Sequence, residues 1–162
     1  MQENLTAEKL PIVAFFMAAA SFLGWKGIML VVWLLAMALD YISGTVAAIK
    51  NHNWASEEAR AGLWHKTGMI FTVMVAAIAD LVLYLITSHI PELGIVWPVL
   101  VLPLVVSWHI VTELGSILEN AVKLDAPVPS WLIAILKGAG KAMDAAGEKA
   151  ADEVTPQKEE DA

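Results

Sequence analysis

Hydrophobic positions along this chain come in long runs, not in the alternation of a half-buried strand. One run, IMLVVWLLAMALDYISGTVAAI, fills residues 28–49. Its 22 residues, at ~1.5 Å of rise each, match the hydrocarbon thickness of a bilayer. Comparable runs fill 67–88 and 95–118, and a shorter one fills 10–24. Polar segments at 1–9, 50–66 and 89–94 separate them. The pattern predicts an all-α integral membrane protein with three to four transmembrane helices. A cytoplasmic amphipathic helix follows them. The predicted layout is a transmembrane domain over 1–124, a linker and amphipathic helix over 125–152, and a disordered acidic tail over 153–162.

The run at 10–24 has only 15 residues, short for a span. It reads as a short first span, an interfacial helix, or a signal peptide ending near Ala18-Ala19-Ala20. Glu3 and Glu8 beside a lone lysine argue against the signal peptide. Trp25-Lys26-Gly27 then reads as a tight connection into the second run. Ser56, followed by Glu57 and Glu58, reads as a helix start with acids in its first turn. Pro98 and Pro103 predict a kinked or irregular first half for the last run. KLDAPVPS is a proline-containing linker ending at Ser130, a helix cap. Beyond it Trp131, Leu132, Ile135, Leu136, Ala139, Ala142 and Met143 recur near helical spacing. They predict an amphipathic helix over about 131–149, lying on the membrane.

Composition agrees with a membrane protein. Hydrophobic residues make up 58% of the chain, above the ~45–50% of soluble domains. The net charge is −7, with much of it near the end of the chain. No basic patch points to nucleic acid, and the absence of cysteine excludes disulfides. With four spans, nine of the lysines and arginines fall on one side of the membrane and one on the other. The positive-inside rule then puts both termini and the 50–66 loop in the cytoplasm.

Few residues carry candidate chemistry. Asp40 and Asp80 fall at mid-depth in their runs, where a carboxylate costs ~2.5–3.5 kcal/mol on insertion scales. Each needs a partner, a proton or water, so each either faces a polar path or bonds to a neighbouring helix. His109 and Glu113 lie one helical turn apart. They read as a relay, a metal pair, or ordinary helix polar groups with Glu113 near the interface. Gly44 and Ala48, four apart, form a small face that admits another helix, from the same chain or another copy. The tryptophans at 25, 33, 54, 64, 97, 108 and 131 read as interface anchors. No phosphate loop, metal-ligand cluster, cofactor motif or catalytic triad is visible, and no enzymatic activity is expected.

Three stretches together resemble the phage holin family that includes the toxin-secretion holins of clostridia. The first is DYISGTVAAIK, carrying Asp40, Tyr41, Gly44, Ala48 and Lys50. The second is SEEARAGLWHK, with Ser56, Gly62 and Lys66. The third is ELGSILENAVKLDAPVPSWL, with Glu113, Ser116, Ile117, Glu119, Asn120, Pro127, Pro129 and Leu132. The resemblance implies a non-enzymatic protein of the host cytoplasmic membrane that oligomerises in the lipid bilayer. It would open lesions coupled to a cell-wall hydrolase, the endolysin, or export a toxin. A small ion or proton channel, a transporter subunit and a membrane scaffold are the competing readings.

The charge split generates a topology test. A reporter active only outside the cytoplasm should work when fused at residue 91 and stay silent at residue 55. The reverse pattern would invert the orientation.

Overall fold

The computed structural model describes the backbone of residues 2–51, 56–94 and 96–154, and the side chains of 24–51, 62–92, 94 and 96–152. Helix α1 covers Gln2–Lys50 and is broken at Gly24. Helix α2 covers Ser56–His89. A 3-10 turn, Pro91–Leu93, and an irregular stretch over 96–100, with Val99 at φ 54, precede α3, Val101–Lys123. Helix α4 covers Ser130–Val154. Among the described residues the chain is all-α. Three segments are long and apolar enough to cross a membrane: Gly24–Lys50, Gly62–His89 and Val101–Lys123.

Several boundaries differ from the sequence reading. The break before the first of these spans falls at Gly24, not across Trp25-Lys26-Gly27. Gly24 takes φ 64 and ψ −161, a conformation that costs glycine little and other residues much. Lys26 is helical, and its Nζ donates to the carbonyl of Val99 at 3.2 Å. The last span starts at Val101 instead of 95. Pro98 sits in the irregular stretch before it, and Pro103 falls in the first turn, where no intrahelical donor is missing. Residues 10–24 are helical in backbone, but the side chains of 10–23 lie outside the described residues. So do residues 155–162, while α4 itself continues to Val154.

Helix α3 is the hub. Helices α1, α2 and α4 all pack on it, whereas α1 and α2 scarcely meet. Its buried residues are Pro103, Val106, His109, Glu113 and Asn120. Their three-, four- and seven-residue spacing is the seam of a helix packed on both sides. The apolar core is small: Trp33 and Met37 of α1, Met69 and Val73 of α2, and Val106 of α3. Large apolar side chains such as Leu35, Phe71, Val75 and Leu81 stay exposed on the outside of the bundle. That surface suits lipid.

The small face of α1 is used inside the chain. A Cβ built on Gly44 would stand 3.4 Å from Asn120 Nδ2. Gly44→Ile should therefore push α1 off α3 and destabilise the bundle by about 1–3 kcal/mol, the usual cost of overpacking. Thermal unfolding of the purified protein in detergent checks this. A transition unchanged from the parent would show that the α1–α3 approach tolerates the bulk.

Candidate functional site

One polar node ties three helices together. Lys66, near the start of the α2 span, donates from Nζ to Asp40 Oδ2 of α1 at 2.9 Å and to Glu113 Oε2 of α3 at 2.7 Å. Asn120, two turns along α3, donates from Nδ2 to Asp40 Oδ1 at 3.0 Å and to Ser43 Oγ at 3.1 Å. The Ser43 hydroxyl in turn donates to the carbonyl of Asp40 at 3.1 Å. Helical geometry sets this up. Glu113 and Asn120 are seven apart and share a face of α3, while Asp40, Ser43 and Gly44 share a face of α1. Gly44 lacks the side chain that would displace Asn120.

The node is sheltered. The Lys66 side chain is 13% exposed and that of Glu113 is 4% exposed. Two carboxylates share one ammonium, so the ionised node carries an excess of one negative charge. The pairs and the Asn120 amide replace the water each group would lose. Such replacement is what makes an intramembrane carboxylate tolerable.

Asp80 serves differently. It is 2% exposed and accepts three hydrogen bonds. Trp97 Nε1 and the Val101 N–H reach Oδ1 at 2.8 and 3.0 Å, and the Leu102 N–H reaches Oδ2 at 2.8 Å. Val101 and Leu102 open α3, whose flanking Leu100 offers no side-chain cap. A carboxylate from the middle of α2 thus caps the N-terminus of α3. It satisfies orphan amides and meets the positive end of the helix dipole.

His109 occupies a third polar point, apart from Glu113. It is 4% exposed. Its Nε2 lies 2.7 Å from Thr72 Oγ1, and Thr72 itself donates to the carbonyl of Met69 at 2.8 Å. With its hydroxyl proton so placed, Thr72 accepts from His109, which assigns the ring proton to Nε2. The ring lies over Trp33, with centroids 5.9 Å apart, and meets the edge of Trp108 at 5.3 Å. His109 and Glu113 therefore share a face but not a partner. Among the described residues no three His, Asp or Glu side chains converge as metal ligands.

Of the motif residues singled out in the sequence, Asp40, Gly44, Lys66, Glu113 and Asn120 come together in the node. Tyr41, Gly62 and Glu119 are exposed and stand outside it, and the side chain of Ser56 lies outside the described residues. Ala48 is half-buried on the same helix. Glu113 is not an interfacial carboxylate but a buried partner of Lys66. The tryptophans divide. Trp25, Trp64 and Trp131 are exposed, as anchors would be, whereas Trp33 is core and Trp97 and Trp108 donate to Asp80 and Asp144. Trp54 lies outside the described residues. Sequence reasoning missed Lys66 as the counter-ion. The available signal was a lysine placed directly before an apolar run, in a protein with an acid inside the preceding one.

The sequence pattern of the bacteriophage holin family matches residues 17–140. An uncharacterized protein of Halalkalibacterium halodurans is 39% identical over 129 residues, 77% of this chain and 90% of that protein. No solved structure matches.

Lys66→Met would leave Asp40 and Glu113 buried without their cation. It should destabilise the bundle by about 3–5 kcal/mol, the cost of breaking a buried pair from one side. Adding Asp40→Asn and Glu113→Gln should restore most of that loss. Unfolding in detergent, with membrane accumulation as a second readout, measures the cycle. Additive effects would mean that the three side chains do not act as a unit.

Proposed function

This chain belongs to the bacteriophage holin family, and from that premise we propose that it is a lysis device of the host cytoplasmic membrane. It accumulates there as a multi-pass helical bundle, oligomerises, and opens lesions that release or activate an endolysin. Export of a toxin through the same lesions is the variant of this reading. The protein acts by assembly, without enzymatic chemistry or a cofactor. With the 10–24 run as a short fourth span, both termini start on the cytoplasmic side, in keeping with the distribution of lysine and arginine.

One observation carries the reading beyond membership. Five of the residues that mark the resemblance to holins, Asp40, Gly44, Lys66, Glu113 and Asn120, meet in the buried node, while Tyr41, Gly62 and Glu119 stand outside it. A family pattern concentrated at helix–helix contacts suits a protein whose work is helix association, since an enzyme's pattern would gather around a substrate pocket. Through the shared lysine the node holds α1, α2 and α3 together until the assembly rearranges.

Induction in a bacterium, with membrane potential and optical density followed over time, tests this. The protein should accumulate silently and then collapse the potential abruptly. Graded, substrate-dependent flux would instead identify a channel or transporter subunit, and an undisturbed membrane would leave a scaffold. At matched membrane abundance, Asp40→Asn should trigger late or not at all, because it keeps volume but removes the charge that Lys66 answers. An Asp40→Asn protein that triggers on the parent's schedule would confine Asp40 to a packing role.

A further inference from the structure

Helix α4 is amphipathic, and its apolar side is already occupied. Leu132, Ile133, Leu136, Ala139, Gly140 and Met143 are half-buried. At the closest approach, a Cβ on Gly140 would lie 3.9 Å from Val111 Cγ1 of α3. Further along, Trp108 Nε1 donates to Asp144 Oδ1 at 3.0 Å. Residue numbers fall along α3 as they rise along α4, so the two helices run antiparallel.

This register puts charge at bilayer depth. Trp108 stands seven residues into α3 and fifteen before its end, about 10 Å and 22 Å from the two termini. Asp144, bonded to it, shares that depth. On the outward side of α4, Lys137, Lys141, Asp144, Glu148 and Asp152 are exposed. They follow one another at three- or four-residue steps and so form one stripe. Asp144 sits at its inner edge, against Trp108, and Lys137 borders the groove between α3 and α4, so the open part of the stripe is Lys141, Glu148 and Asp152. Ionised side chains are not stable facing hydrocarbon, and α4 is not among the segments apolar enough to cross a membrane.

We propose that α4, docked on α3 in this way, is the water-facing wall of the assembled lesion. Its charged stripe lines an aqueous lumen shared by several copies of the chain. This rests on the lesion-forming reading above. A dry contact between stripes is disfavoured by symmetry. Copies arranged around an axis place the same residue at the same depth, so Lys141 meets Lys141 and Glu148 meets Glu148. Such rings of like charge repel unless water separates them, and rings of charged side chains line ion pathways for this reason. Before assembly, α4 rests on the cytoplasmic surface. The non-helical linker 126–129, with Pro127 and Pro129, is the hinge that lets it dock.

The chain has no cysteine, so single cysteines report cleanly. Lys141→Cys, Glu148→Cys and the lipid-facing Leu35→Cys are made in the full-length protein. They are reconstituted in phosphatidylethanolamine–phosphatidylglycerol bilayers and treated, from the side opposite the 50–66 loop only, with a cationic, membrane-impermeant methanethiosulfonate. Once conductance appears, the two stripe positions should label several-fold faster than before, and labelling should reduce the cation current. Leu35→Cys should stay unlabelled. Stripe positions that label equally before and after, with no change in current, would leave α4 on the membrane surface and overturn the proposal. Equal labelling of Leu35→Cys would overturn it too, by showing a defect walled by lipid. Lys141→Glu gives a second reading that needs no reagent: selectivity should shift toward cations, and unchanged selectivity counts against the stripe. A parent protein that never conducts fails earlier, at lesion formation itself.

Discussion

Lipid removes the force that folds most proteins. Between helices in a bilayer, apolar surface gains nothing from leaving the solvent, because the solvent is itself apolar. Association must come from close packing and from polar groups that have nowhere else to go. Both meet where α1 crosses α3, at Gly44 and Asn120, and where Lys66 reaches across to Asp40 and Glu113. The apolar core of five buried side chains is too small to specify the bundle alone. The node specifies it by penalty: any arrangement that separates Lys66 from its carboxylates leaves charge in hydrocarbon.

Asp80 applies the same logic to a helix end. Few soluble helices need a cap donated from another helix, because water serves the orphan amides. At the start of α3 the amides of Val101 and Leu102 point into the bundle, and a carboxylate of α2 meets them. The stretch over 96–100 can be irregular because Asp80 holds Trp97 and Lys26 holds the carbonyl of Val99. Irregular backbone at membrane depth survives only where protein satisfies it.

Much of this was legible in the sequence. Run lengths gave the number and order of spans, since bilayer thickness constrains a span more tightly than propensity constrains a soluble helix. The cost of burying charge marked Asp40 and Asp80 as needing a partner, a proton or water, and the structure supplies each with partners. The partners were harder to see. Lys66 lies 26 residues from Asp40, and Asn120 lies 80 from it; no periodicity spans such distances. Trp33 read as an interface anchor because composition cannot tell which side of a helix meets the core. The start of α3 lies later than the apolar run because hydrophobicity continues through 95–100, and a proline such as Pro98 is compatible with a helix start as well as with irregular backbone. The docking of α4 onto α3 was not legible at all, since an amphipathic helix fits a membrane surface and a protein groove equally well.

The non-helical stretch before α3 also leaves the spans unequal. The first and second have 27 and 28 residues, while α3 has 23. At ~1.5 Å per residue α3 already reaches about 34 Å, enough for a hydrocarbon core of ~30 Å. The other two, at about 40 Å, exceed it and fit by tilting or by carrying their ends into the headgroups. The hub thus matches the layer, and the helices packed on it lean to share it.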